Sequence, residues 1–174
     1  MEFTFETNYD MSSLTTMAKA LRKTVRKKHN TRSRVLGWIV FALAVLLVYS
    51  NFKNGFDLSP RIVLTLIAAV CLFVALLFED KLNAYIARKR MLAGTEFAKT
   101  VFTDESFISE TAVGKTIWNY DKILLLAENA DHFIFVFSNN HAQVYDKKAI
   151  SGGTLDEFCA FICDITQKSI TYIK

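Results

Sequence analysis

Residues 35–52 read VLGWIVFALAVLLVYSNF, and residues 62–78 read IVLTLIAAVCLFVALLF. The first run is 18 residues long and the second 17, and neither contains Asp, Glu, Lys, Arg or His. A bilayer core about 30 Å thick is crossed by roughly 17–25 helical residues. An ionised side chain at its centre costs several kcal/mol, so the lack of charge is informative. A core helix of a soluble domain keeps a polar stripe, whereas these runs are apolar on every face. They predict two transmembrane helices forming a hairpin. The first run does not read as a cleaved signal peptide. A long segment precedes it, no small-x-small site follows it, and a second span lies behind it.

The chain has 174 residues, 52% of them hydrophobic, with a mean hydropathy of +0.23. Most of the apolar surplus lies in the two runs, and the remainder has an ordinary soluble composition. Charge orients the hairpin. Eight basic residues, with no acid among them, lie between Lys19 and Arg34, and Lys81, Arg88, Lys89 and Arg90 follow the second run. The connecting segment NFKNGFDLSP (51–60) and the next residue hold only Lys53, Asp57 and Arg61. The positive-inside rule therefore places both termini in the cytoplasm and the short turn outside. Gly55 and Pro60 suit that turn and the start of the second helix.

Residues 1–90 carry 14 Lys and Arg against 6 Asp and Glu, a net of +8, while residues 91–174 carry 7 against 11, a net of −4. Basic character is thus confined to the juxtamembrane belt. Lys19, Arg22, Lys23, Arg26, Lys27, Lys28, Arg32, Arg34, Arg88, Lys89 and Arg90 are the expected membrane-surface contacts, each worth about 1 kcal/mol against anionic headgroups. A nucleic-acid reading lacks support, because no aromatic residue lies between Lys19 and Arg34 to stack on a base.

Outside the spans, EFTFETNY (2–9) alternates as a half-buried strand. Asp10 is placed to cap a helix on which Met11, Leu14, Ala18, Leu21 and Val25 make an apolar stripe. That stripe could lie in the membrane interface or pack on the soluble domain. The second span is expected to continue as a juxtamembrane helix to a stop near Gly94. Short strands are expected at 96–103, 106–111, 115–120, 123–128, 132–138 and 142–145, the spacing of a meander or small barrel. Thr154-Leu155-Asp156-Glu157 matches a capping box. It opens a helix whose apolar face comprises Leu155, Phe158, Cys159, Ile162, Ile165, Thr166 and Ile170.

The expected fold class is membrane α+β: a two-helix transmembrane hairpin with a cytoplasmic PH-like antiparallel β domain closed by a C-terminal helix. Its divisions are 1–34 (strand and basic amphipathic helix), 35–78 (hairpin), 79–94 (helix extension) and 95–174 (PH-like domain).

In order of parts the chain resembles the YcxB-like family of bacterial membrane proteins. The resemblance rests on FTFETNYD, the hairpin, Trp118 and Ile123 in TIWNYDKI, the run HFIFVFS, and VYDKKAI followed by LDEFCAFI. It spans nearly the whole chain, but each motif is short. A proline that the family usually has near Asp146-Lys147 is absent here. The resemblance implies a bacterial inner-membrane protein with no established catalytic activity.

No catalytic constellation is legible. His29, His132 and His141 have no nucleophile signature beside them. His132 and His141 flank one expected hairpin and could approach as a two-ligand metal site, although turn histidines are usually solvated. Cys159 and Cys163, four residues apart on one helix, read as core residues, and Cys71 lies inside the second span. Gly114-Lys115-Thr116 has Ser109 where a phosphate-binding loop needs glycine. No cofactor and no metal are expected.

The expected role is a membrane-anchored, non-catalytic interaction or scaffold module, with Trp118, Tyr120, Lys147 and Lys148 as candidate partner contacts. Its partners would be the bilayer and a protein or a second copy of the chain, and not nucleic acid. The alternative is an anionic-lipid sensor or a subunit of an oligomeric membrane complex.

Overall fold

The computed structural model describes residues 2–53, 55 and 59–173, so residues 54 and 56–58 of the expected outside turn, Asp57 among them, lie outside the described residues. The chain begins with β1 (Phe3–Asn8), followed by α1 (Met11–Lys23), α2 (Lys27–Lys53), α3 (Pro60–Leu77) and α4 (Glu79–Arg90). Six strands follow: β2 (Phe97–Phe102), β3 (Phe107–Thr111), β4 (Gly114–Trp118), β5 (Leu125–Glu128), β6 (His132–Val136) and β7 (Ala142–Asp146). Then come a two-residue strand β8 (Ile150–Ser151), α5 (Leu155–Thr166) and β9 (Ile170–Tyr172).

The strands form two sheets, β4-β3-β2-β1-β8 and β7-β6-β5-β9. All pairings are antiparallel except β5 with β9. Alternation in FTFETN turns Phe3, Phe5 and Thr7 inward. Phe3, Phe5, Phe102 and Phe107 of the first sheet share one core with Leu126, Phe133, Phe135 and Tyr145 of the second. Phe158 and Ile162 of α5 complete that core. The Phe158 ring lies 4.7 Å from Phe5, 5.1 Å from Phe102 and 5.4 Å from Phe3. Burying each such ring contributes about 1.5–3 kcal/mol. α5 begins with the expected capping box, Thr154 Oγ1 accepting from Glu157 N and Glu157 Oε2 from Thr154 N.

The second sheet is covered on its other face as well. Ala127, Ile134, Val136, Ala142 and Val144 pack against Ala20 and Leu21 of α1. Strands covered on both faces read as continuous apolar runs, which accounts for HFIFV: Phe133 and Phe135 enter one core, Ile134 and Val136 the other. The apolar stripe of α1 thus packs on the sheet through Leu21, with Ala20 beside it, while Met11 is exposed. Asp10 caps α1 by accepting from Ser13 N at 2.7 Å.

The first strand changes the expected division of the chain. β1 pairs with β2 from Phe3↔Phe102 to Asn8↔Phe97 and with β8 through Thr4↔Ser151. A unit spanning only 95–174 would lack a central strand and two core phenylalanines. The helices α1 to α4 are an insertion between two adjacent strands of one sheet.

α2 and α3 are both long and apolar enough to cross a membrane. No residue of α2 is buried, and in α3 only Ala69 and Leu76 are. The two helices pack closely at Gly37, where an added Cβ would come within 2.8 Å of Leu76 Cδ2. Farther along, Phe41 stacks on Phe73 with ring centroids 5.3 Å apart. The expected extension of the second span is present, but it is broken at Phe78 before α4 begins.

Candidate functional site

The basic segment meets the sheet domain where α1, α2, α3 and α4 converge. α1 ends at Lys23, and Thr24 Oγ1 donates to Ala20 O at 2.7 Å as the chain bends before α2. The residues expected as membrane-surface contacts divide here into cations engaged within the protein and cations presented outward.

Arg22 is engaged. Its Nε and Nη2 donate to both Asp80 carboxylate oxygens at 2.7 and 2.6 Å, clasping α1 to α4. These hydrogen bonds push the guanidinium pKa above its ordinary value despite partial burial. Arg26 donates to Asn139 O and Asn140 Oδ1, which holds the elbow to the β6–β7 turn. Arg34 reaches the C-terminal end of α3, donating to Leu76 O at 3.4 Å, with its Nε 3.8 Å from Glu79 Oε2. A cation at a helix C-terminus is favoured by the helix dipole. Arg88 donates to Tyr9 O at 3.4 Å, and Lys89 Nζ lies 5.1 Å from the Tyr85 ring centre.

Lys28, Arg32 and Arg90 are exposed, and Lys19 is half-buried beside a shallow pocket with Lys81. Lys23 and Lys27 line a cleft of about 830 Å³ between the elbow and β9. Its walls also include Asn30, Arg34, Val35 and Trp38 of α2, and Thr171, Tyr172 and Ile173 opposite. No carboxylate side chain of a described residue lines it. The Lys23 ammonium is held below the usual lysine pKa by desolvation and then by Lys19 and Arg22. The cleft residues Asn30, Trp38 and Tyr172 were not singled out from the sequence. The available signal was Trp38 near the start of an apolar run, the position of an interfacial aromatic.

The four residues expected to contact a partner divide similarly. Tyr120 is buried, and its hydroxyl donates to Thr103 O at 2.6 Å. Burial pushes its pKa far above the ordinary tyrosine value. Its expected role as a surface contact is corrected, because the ring sits in the core against Phe107. Lys147 is also corrected. Its Nζ donates to Glu128 Oε2 at 2.7 Å and Asn129 O at 2.8 Å and lies 4.7 Å from the Phe133 ring centre. Lys148 is exposed, while its backbone N–H donates to Asp146 Oδ1 at 2.9 Å in the turn where the proline is absent. Trp118 is half-buried, with centroids 4.7 Å from Phe137 and 5.3 Å from His141. It lines a second cleft, about 580 Å³, bordered by β4 and by Ala142 and Gln143 of β7. β4 and β7 are the outer strands of their sheets, and Lys115, Thr116 and Ile117 of β4 are exposed.

The two-histidine approach does not occur. His132 pairs with Asp146 at the open end of the β6–β7 hairpin, whereas Phe137 N donates to His141 O at the turn end. Five steps of strand separate the two ends, about 17 Å. Among the described residues no group of three or more His, Cys, Asp and Glu is placed to hold a metal ion. Cys159 packs on the main core, where burial foremost, and Glu128 next, push its thiol pKa up. That is the opposite of an activated nucleophile.

Comparison with family models, curated proteins and solved structures finds no match to this chain.

Proposed function

We propose that this chain is a membrane-anchored, non-catalytic interaction module of the cytoplasmic face, akin to the YcxB-like proteins. α2 and α3 cross the bilayer as a hairpin, both termini remain in the cytoplasm, and the two-sheet domain closed by α5 is PH-like. The observation that carries this reading is the contrast in packing. The sheet domain buries most of its large apolar side chains in two cores, leaving scattered exceptions such as Phe97, Ile117 and Leu124, while α2 and α3 expose Leu36, Leu43, Leu46, Leu47, Leu64 and Val70 each at 56% or more. An apolar surface of that extent, bounded by basic residues, marks a membrane or protein interface rather than a soluble face.

Anchoring suits the absence of charge in both apolar runs, since an ion or proton pathway normally places an ionisable group inside its span. The insertion point supports a tether as well. Both ends of the helical insertion return to neighbouring strands, so the domain is held to the anchor by two chain crossings. The exposed outer edge of β4 is the surface best suited to an extended protein segment.

Photocrosslinking in native membranes from position Ile117 tests the interaction role. A discrete protein adduct, lost when the crosslinker is moved to buried Ile134, is expected. Adducts indistinguishable between the two positions would contradict it.

A further inference from the structure

We infer that the cleft between the α1–α2 elbow and β9 holds one anionic phospholipid. Its phosphate lies against Lys27 and Asn30, and its acyl chains leave along Val35 and Trp38. This deepens the anchor reading and rests on it.

Lys27, Asn30, Thr31, Arg34, Val35 and Trp38 all line the cleft. Their spacing of 3, 1, 3, 1 and 3 places them on one stripe of α2. Along that stripe the chemistry passes in order from ammonium to amide, hydroxyl and guanidinium, then to an aliphatic side chain and an indole. Eleven residues at 1.5 Å each give a run of about 16 Å. That is long enough for a phosphate, a glycerol backbone and the first part of the acyl chains. Thr171, Tyr172 and Ile173 form the opposite wall.

Charge points to an anion. Arg22, Lys23, Lys27 and Arg34 line the cleft, and no described carboxylate does. Asp80 and Glu79 answer Arg22 and Arg34 from behind the wall. Among the described residues Lys27 has no ion pair, and the first turn of α2 contains no acid. Two lysines at the positive end of a helix dipole repel it, and a bound phosphate would offset that repulsion. The apolar mouth selects a lipid over a soluble phosphate. Val35 and Trp38 stand where α2 enters the bilayer, and a headgroup without chains would leave them uncovered.

The test uses the full chain carrying Trp118→Phe, which leaves Trp38 as the sole tryptophan. Trp118 Nε1 has no hydrogen-bond partner among the described residues, so this exchange removes none. The protein is reconstituted in phosphatidylcholine vesicles containing a minor fraction of brominated phosphatidylglycerol, or the same fraction of brominated phosphatidylcholine. Quenching of Trp38 is compared between the two lipids. The anionic lipid is expected to quench more strongly. Lys27→Gln is expected to lower its relative association about fivefold. The neighbouring Lys28→Gln, outside the cleft, should change it much less, because an exposed charge away from the bound phosphate is screened by salt. Equal quenching by the two lipids overturns the site, as does an equal loss in both variants, which describes a diffuse belt. Loss of the preference on adding soluble glycerol phosphate would assign the cleft to free phosphate instead. Trp38 left unquenched by either lipid would refute the anchor itself.

Discussion

Replacing Gly152 by alanine tests the junction that closes the sheet domain around its first strand. Gly152 has φ +92°, and a Cβ there would overlap the Glu2 carbonyl oxygen. Two costs follow. An L-residue in this left-handed region costs about 1–2 kcal/mol. Relieving the overlap also separates β8 from β1, loosening a short ladder in which each hydrogen bond contributes about 1 kcal/mol. The sum is about 3–4 kcal/mol. Gly94 is a matched control, with φ +90° but only side-chain atoms near its added Cβ, Val113 Cγ1 at 3.0 Å and Ala112 Cβ at 3.5 Å. Gly94→Ala should cost only the conformational part, about 1–2 kcal/mol. Urea unfolding of the full chain in micelles, with Trp38→Phe so that Trp118 is the sole tryptophan, measures both by fluorescence. A difference between the two variants below about 0.5 kcal/mol would refute the view that β8 secures β1 through this close approach.

The Arg22–Asp80 clasp should show a coupling of about 1–2 kcal/mol in a double-mutant cycle with Arg22→Met and Asp80→Asn, since the pair is bidentate and largely shielded. Additive effects would reduce it to a surface ornament. Asp10→Ala should cost about 1 kcal/mol near neutral pH through loss of the α1 cap. Hydrogen bonding by Ser13 N lowers the Asp10 pKa below 3.8. The wild-type advantage is therefore complete above that value and vanishes as pH falls through the folded pKa. A pH series of unfolding midpoints for both proteins checks it, and a constant gap down to strongly acidic pH would contradict it. Gly37→Leu should force α2 from α3 at Leu76 and destabilise the hairpin by about 1–3 kcal/mol. Spin-label distances across the two helices would show the separation, and unchanged distances would count against close packing there.

Much of this architecture was legible because strong local signals coincide with it. The two apolar runs, the alternation of FTFETN, and the capping box at Thr154 each determine a local conformation from a few side chains. What was not legible depends on distant partners. Nothing within residues 3–8 says that they pair with 97–102 across four intervening helices. β8 is only two residues long, too short for any periodicity. Ile170 continues the apolar spacing of α5, yet the helix stops at Thr166 and Gln167 turns with φ 53°. Without a glycine there, the sequence had no stop signal, and Ile170 leaves the helix to pair with Leu126. The basic belt was legible as a charge pattern. Its division into engaged and outward cations was not, because Asp80, Asn139 and Leu76, the partners of Arg22, Arg26 and Arg34, come from elsewhere in the chain. Tyr120 and Lys147 were misplaced for the same reason, since each is satisfied by a group supplied by another strand or turn.

The proposed function depends on a hairpin that crosses the bilayer and returns. With Cys71, Cys159 and Cys163 replaced by alanine, single cysteines at Lys53 and Lys148 can be probed in intact cells with a membrane-impermeant maleimide. Labelling of Lys53→Cys from outside, with Lys148→Cys protected until the cells are lysed, is the predicted result. Labelling of Lys148→Cys in intact cells, or protection of Lys53→Cys, would contradict a hairpin with both termini in the cytoplasm.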